Sequence, residues 1–289
     1  MRLLVAGAGG MLGLDVLAAG ARAGHELIGM TRAELDVTDA RAVAAAFARW
    51  LPEGVLNCAA WTDVDGAEAQ SEAAHAVNAT GAGNLAAAAA AAGVALVHVS
   101  SDYVFDGEAP RDRAGAPRAY LEADATGPLS VYGQSKLAGE RSVLAASARH
   151  TVARSSWLFG TGGRNFAETM LRLAGERTSI DVVTDQVGCP TWTGHLAPAL
   201  LGLLERDVAG LVHLAGGGRV SWNGFAREIF RQAECDCRVQ ASTSAALERP
   251  APRPAWSALE SERGDVLPLP PWQDGLAGYL AARAGMMRP

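Results

Sequence analysis

The stretch LLVAGAGGMLG, Leu3 to Gly13, decides the fold. Its four apolar residues, Leu3-Leu4-Val5-Ala6, read as a short strand that runs directly into glycines at positions 7, 10 and 13. In that spacing Gly7 permits a tight turn, Gly10 lets the backbone approach a pyrophosphate, and Gly13 lets the next helix pack close to the strand. Met11 and Leu12 open that helix, whose N-terminal amides face negative charge. A chain with 33 glycines makes such patterns by chance, so the spacing counts only because it closes the first strand of a strand-helix-strand pattern.

Working outward, short apolar runs alternate with helix-like stretches. A strand at Glu26–Met30 and a helix over about Ala40–Arg49 are followed by an apolar run at Val55–Ala59 and an alanine-rich helix over about Ala73–Ala92. Ala95–Ser100, a helix over about Tyr132–Ala146 and His150–Arg154 continue the pattern. Strands alternating with helices predict parallel strands joined by crossovers, hence an α/β, Rossmann-type doubly wound sheet. Beyond Arg154 the rhythm loosens, with helices predicted over about Phe166–Ala174, Gly194–Leu204 and Trp222–Ala233. Residues 1–153 are therefore expected to form a dinucleotide-binding domain, to which segments near 176–190 and 208–216 return. Residues 154–289 are expected to form a smaller, discontinuous α/β substrate-binding domain.

Composition narrows the ligands. The chain has 289 residues, 49% hydrophobic and 19% charged, with a net charge of −6 and no concentrated basic run. That argues against nucleic acid or an anionic membrane surface as partner and favours small molecules. Cys58, Cys189, Cys235 and Cys237 have neither zinc-site spacing nor the density of a disulfide scaffold, so free thiols in a reducing compartment are expected. The N-terminus lacks the pattern of a signal peptide, and the run Ala86–Ala92 is too short to span a bilayer; a cytoplasmic protein is expected.

Lys136 is the only lysine in the sequence; the other 24 of its 25 basic residues are arginines. It follows Tyr132 by four residues, so on a helix both side chains share one face. A free tyrosine, with a pKa near 10, is a poor proton relay at neutral pH. An ammonium about 4 Å away, at an effective dielectric of about 20, would favour the phenolate by roughly 4 kcal/mol before desolvation offsets part of it. Such a tyrosine could protonate a carbonyl oxygen as hydride reaches its carbon. Val97-His98-Val99-Ser100-Ser101 ends the preceding parallel strand, where either serine could bond the same oxygen or simply cap a turn. At the end of the second strand, Arg32 either takes the 2′-phosphate of NADPH or is a surface arginine, and Asp36-Val37 either borders an adenine or precedes a helix capped by Thr38.

With these residues the sequence resembles the extended short-chain dehydrogenase/reductase superfamily and, within it, the dTDP-4-dehydrorhamnose reductase family with its RmlD-like substrate-binding region. Ser100-Ser101-Asp102-Tyr103-Val104-Phe105-Asp106-Gly107, Arg154-Ser155-Ser156-Trp157 and Asp185-Gln186-Val187-Gly188-Cys189-Pro190-Thr191 carry the specific part of the likeness, which covers nearly the whole chain. The resemblance implies a catalytic set of Ser101, where the family usually has threonine, Tyr132 as general acid and Lys136 as its partner. It implies a cofactor site formed by Gly7, Gly10, Met11, Leu12, Gly13, Arg32, Asp36, Val37, Ala59, Ala60, Asn78, Tyr132 and Lys136. Val64, Ser101, Asp102, Tyr103, Tyr132 and Trp157 would meet the sugar nucleotide. The implied activity is NADPH-dependent, or NADH-dependent, reduction of the 4-keto group of a dTDP-4-keto-6-deoxyhexose. Dehydratases of the superfamily carry an Asp-Glu pair where this chain has Asp102-Tyr103, so elimination of water is disfavoured. A 4-ketoreductase for another deoxysugar, and a non-catalytic regulatory subunit of a methionine adenosyltransferase, stay open as alternatives. No catalytic metal is expected, a structural Mg2+ stays open, and so does the choice of monomer or homodimer.

Overall fold

The computed structural model describes residues 1–286. Its first strand, β1 (Arg2–Ala6), separates two cores. Leu3 and Val5 point into one apolar cluster and Leu4 and Ala6 into another, and none of the four is more than 1% exposed. A strand covered on both faces needs no polar alternation, which is why this run is apolar throughout.

The chain continues as α1 (Met11–Arg22), β2 (Glu26–Met30), α2 (Ala40–Trp50), β3 (Gly54–Asn57), α3 (Val64–Ala69), α4 (Ser71–His75), α5 (Ala82–Ala91), β4 (Ala95–Ser101), α6 (Val131–Ala146) and β5 (Thr151–Ser155). Next come β6 (Leu158–Phe159), α7 (Phe166–Ala174), β7 (Ser179–Val183), β8 (Val187–Gly188), β9 (Thr191–Trp192), α8 (Thr193–Glu205) and β10 (Gly210–His213). The last elements are β11 (Val220–Ser221), α9 (Trp222–Gln232), β12 (Arg238–Ser242) and α10 (Trp272–Met286).

Six strands form one parallel sheet in the order β10-β5-β4-β3-β1-β2. The chain leaves β1 for β2 on one side and returns to β3 on the other, so the strand order switches between β1 and β3. Ligands of doubly wound sheets bind at that point, beyond the carboxyl ends of the strands. Leu12, Val16, Leu196 and Leu200 cover one face from α1 and α8; Val43, Leu85, Ala89 and Val143 cover the other from α2, α5 and α6.

Two expectations are corrected. The alanine-rich segment is not one helix: a π-helical turn at Ala76–Gly81 lies between α4 and α5. That turn presents the buried Asn78, which accepts from the Trp61 amide at 2.8 Å and donates to Ser135 Oγ at 2.9 Å. Residues 176–190 do not rejoin the main sheet. β7 pairs in parallel with β12, and β8 pairs antiparallel with β11. The reason is apolar: Ile180 and Val182 are buried against Phe225 and Ile229 in a third cluster that also holds Leu276 and Tyr279 of α10. Gly210–His213, by contrast, lies beside β5 at the edge of the main sheet.

Candidate active site

A cavity of about 1030 Å³ opens at the switch point. The glycine turn forms one wall, and its contacts show why the glycines stand there. Gly7 has φ 77°, and a Cβ on it would lie 2.5 Å from the Ala59 nitrogen; a Cβ on Gly13 would lie 2.3 Å from the Gly7 oxygen. Neither position has room for a methyl group. Gly10 starts α1 without a side-chain cap, so the first helical amides face the cavity free of an intramolecular acceptor. These features fit a pyrophosphate held by backbone N–H groups. Met11, Leu12, Arg32, Asp36, Val37, Ala59 and Ala60 also line the cavity. Asp36 accepts from the Thr38 hydroxyl and amide at 2.8 and 2.9 Å, and these bonds hold its carboxyl below the ordinary range. Asn78 is the exception among the expected cofactor residues: it is fully buried behind the wall, where it positions Trp61 and α6.

The opposite wall is built from the end of β4 and the first turns of α6. Ser130 caps α6 by accepting from the Gly133 amide, which places Tyr132 and Lys136 on the cavity side. Gly133 allows close approach, since a Cβ there would meet the Tyr103 oxygen at 2.2 Å. Tyr132 and Ser101 both line this wall, and Tyr132 meets the Tyr103 ring edge to face, with centroids 5.5 Å apart. Ser101 Oγ donates to Asp102 at 3.0 Å, and Ser156 Oγ donates to the second oxygen of Asp102 at 3.1 Å. Burial pushes the Asp102 carboxyl up to about 6 despite these bonds.

The electrostatics differ from the expected picture of a tyrosine acidified by its lysine. Burial pushes Tyr132 up to about 12, and the neighbouring Ser101 hydroxyl only moderates the rise. The Lys136 ammonium donates to the Val99 carbonyl at 2.7 Å, with His98 Nε2 at 3.5 Å. Burial lowers this lysine to about 8. One turn further along α6, Glu140 forms a buried bidentate pair with Arg154 of β5, at 2.8 and 2.7 Å, and accepts from Ser100 Oγ at 2.6 Å.

Val64, Tyr103 and Trp157 line the remaining side of the cavity, together with three residues that the sequence did not single out: Cys58, Arg164 and Trp222. Trp222 stacks on Trp157 with centroids 3.4 Å apart and planes 3° apart, and its indole N–H donates to Gln186 Oε1 at 3.1 Å. The two tryptophans stand 65 positions apart, and no local spacing joins them; Gln186 and Gly188, which contact the pair, both fall within the stretch Asp185–Thr191. Among the described residues, no group of three or more His, Cys, Asp or Glu is placed to hold a metal, and no helix is long and apolar enough to cross a membrane.

Comparison with known proteins adds independent observations. The family model described as RmlD substrate binding domain matches residues 1–284. A dTDP-4-dehydrorhamnose reductase of Mycobacterium tuberculosis is 46% identical over 98% of this chain and 93% of its own length. A dTDP-4-keto-6-deoxy-D-glucose reductase of Streptomyces niveus is 41% identical over 81% of this chain and 80% of its own length. Among solved structures, a dTDP-4-dehydrorhamnose reductase of Bacillus anthracis in complex with NADP superposes with a TM-score of 0.92 and 33% identity, covering 97% of this chain and 99% of that one.

Proposed function

The chain belongs to the RmlD substrate binding domain family, and from that premise we propose that it reduces the 4-keto group of dTDP-4-dehydro-6-deoxy-L-mannose to give dTDP-L-rhamnose, with NADPH as the preferred donor. It is an oxidoreductase that uses a nicotinamide cofactor. The observation that carries the reading is that Ser101, at the end of β4, and Tyr132, in the first turn of α6, line one cavity across from an uncapped glycine turn. The domain division follows the same logic: the parallel sheet carries the cofactor side, and the segments around the third apolar cluster bring Trp157 and Trp222 to the substrate side.

The bound reduced nicotinamide supplies hydride. Tyr132 holds the proton at its phenolic oxygen and delivers it to the former keto oxygen, and Ser101 is the second hydroxyl at that oxygen. A phenol near 12 is protonated throughout the neutral range. It is nonetheless competent, because a developing alkoxide is a base comparable to hydroxide, whose conjugate acid water has a pKa of about 15.7. Arg32 at the mouth beyond β2 supports NADPH, since a guanidinium there suits a 2′-phosphate. Tyr103 and Trp157 offer apolar and stacking surfaces for the deoxysugar methyl and the base.

The Streptomyces niveus relative supports a second reading, a 4-ketoreductase for another dTDP-linked 6-deoxysugar, which the configuration at C4 of the product distinguishes. The regulatory-subunit alternative finds no support in these relatives. The test is consumption of NADPH, followed by loss of its absorbance, with dTDP-4-dehydro-6-deoxy-L-mannose. If no dTDP-4-ketosugar is consumed, the reading fails.

A further inference from the structure

His98 stands opposite Asn57 in the parallel pairing of β3 and β4, and the two residues are 0% and 1% exposed. The backbone fixes how they face each other. The Ala59 amide donates to Asn57 Oδ1 at 3.0 Å, which places the carbonyl of the side-chain amide on that side and its NH2 toward the ring. That NH2 lies 2.9 Å from His98 Nδ1. A donor requires an acceptor, so Nδ1 carries the lone pair and the proton of the neutral ring sits on Nε2. Burial, with the charge of Lys136 as the second cause, holds His98 well below its ordinary pKa and so keeps it neutral.

Nε2 lies 3.5 Å from Lys136 Nζ. The other titratable groups around that nitrogen are Glu140 on α6 and Cys58 beyond β3. Glu140 favours the ammonium, but its carboxylate is shared with the Arg154 guanidinium. Burial pushes the Cys58 thiol up to about 12, so it is uncharged. The His98 N–H decides the local balance: against an ammonium it is donor facing donor, whereas against a neutral amine it has a lone pair to meet. We propose that Asn57 and His98 are positioning residues for the reaction: Asn57 locks His98 as the Nε2–H tautomer, and that N–H favours the amine form of Lys136, so the lysine releases its proton more readily than burial alone would make it. The tautomer rests on geometry; its use in supplying protons near Tyr132 rests on the function proposed above.

Because Lys136 is the sole lysine, protein labelled with 13C at lysine Cε gives one signal, and its titration is read without any substrate. His98→Leu removes the N–H while keeping the site apolar, and the midpoint is expected to rise by about one pH unit. His98→Gln can accept from Asn57 and still present an N–H, so its midpoint should stay within about 0.3 unit of the parent. In unmutated protein labelled with 15N-histidine, His98 should show a protonated Nε2 and a bare Nδ1 throughout the neutral range. A proton on Nδ1, a mixture of tautomers, or an unmoved lysine midpoint in folded His98→Leu overturns the proposal. Should His98→Leu not fold, Asn57→Leu, which frees the ring to change tautomer, is expected to raise the midpoint likewise, and no rise overturns the proposal. Lack of turnover with dTDP-4-ketosugars, alongside the expected tautomer and shift, would count against the reaction and in favour of the tuning.

Discussion

Trp157 and Trp222 lie face to face at 3.4 Å, and Trp157 holds that position from a left-handed backbone, φ 47°. For a bulky residue this conformation costs of order 1–3 kcal/mol, which surrounding contacts must offset. Gly188 supplies one such contact, since a Cβ there would lie 2.4 Å from Trp157 Cε2. Trp222→Ala removes the other face of the stack. Steady-state kinetics should show KM for the sugar nucleotide raised roughly tenfold or more, with kcat changed less than about threefold. A kcat loss at constant KM would show that the stack does not serve substrate binding.

The contrast between Trp157 and Trp222 shows what the sequence could and could not disclose. Leu3–Gly13 and Tyr132–Lys136 are local patterns whose chemistry depends on neighbours within one turn or one strand, and the structure places both on the cavity. Trp222 and His98 matter through partners brought by the fold, Trp157 and Lys136, and no periodicity marks such pairs. Asn78 lies buried in a π-helical turn and bonds Ser135, and an alanine-rich run gives no sign of that turn. The Tyr132–Lys136 spacing discloses a Coulomb attraction, whereas the burial of Tyr132 and the hydrogen bond from Lys136 to the Val99 carbonyl are properties of the folded chain.

Asp102 should make stability fall as pH rises. Its carboxyl is raised from 3.8 to about 6 in the folded chain by burial, so the folded state binds the proton more tightly than the unfolded one. Stability from this group is fully present below about 4 and is lost as pH rises through about 6, a span worth about 3 kcal/mol. Asp102→Asn removes that dependence. Urea unfolding from pH 4 to 7.5 should show the variant gaining on the parent up to about pH 6 and running parallel above it. Parallel curves throughout would place the Asp102 carboxyl at its ordinary pKa.

Glu140→Gln leaves the Arg154 guanidinium buried without its counter-charge, since both side chains are under 5% exposed. Loss of one partner of such a pair costs about 3–5 kcal/mol, whereas replacing both by leucine should cost less, because neither charge is then stranded. Urea midpoints of the single and double variants decide this. A double variant weaker than Glu140→Gln alone would show that the pair contributes more than mutual neutralisation.

Arg32→Ala tests cofactor choice. If the guanidinium meets a 2′-phosphate, KM for NADPH should rise roughly tenfold to a hundredfold while KM for NADH stays nearly constant. Equal changes for both cofactors would assign Arg32 to the shared part of the dinucleotide or to the surface.

Lys136→Arg returns to the one position where this chain uses lysine. The side chain is 2% exposed, and its nitrogen lies between the Val99 oxygen, 2.7 Å away, and the His98 ring, 3.5 Å away. A guanidinium brings five N–H donors on a wide plane to a place that offers one carbonyl, and its extra atoms must displace packed neighbours. The substitution should therefore lower kcat/KM by roughly a hundredfold or more and cost about 1–3 kcal/mol of stability through overpacking. Lys136→Met separates the two effects. It keeps the length without the charge, so its stability loss comes from stranding the Val99 carbonyl, about 1–3 kcal/mol, while activity should fall at least as far as in the arginine variant. If Lys136→Arg keeps near-full activity and Lys136→Met does not, positive charge alone is what the site requires, and neither the compact ammonium head nor its readiness to lose a proton explains why lysine stands here.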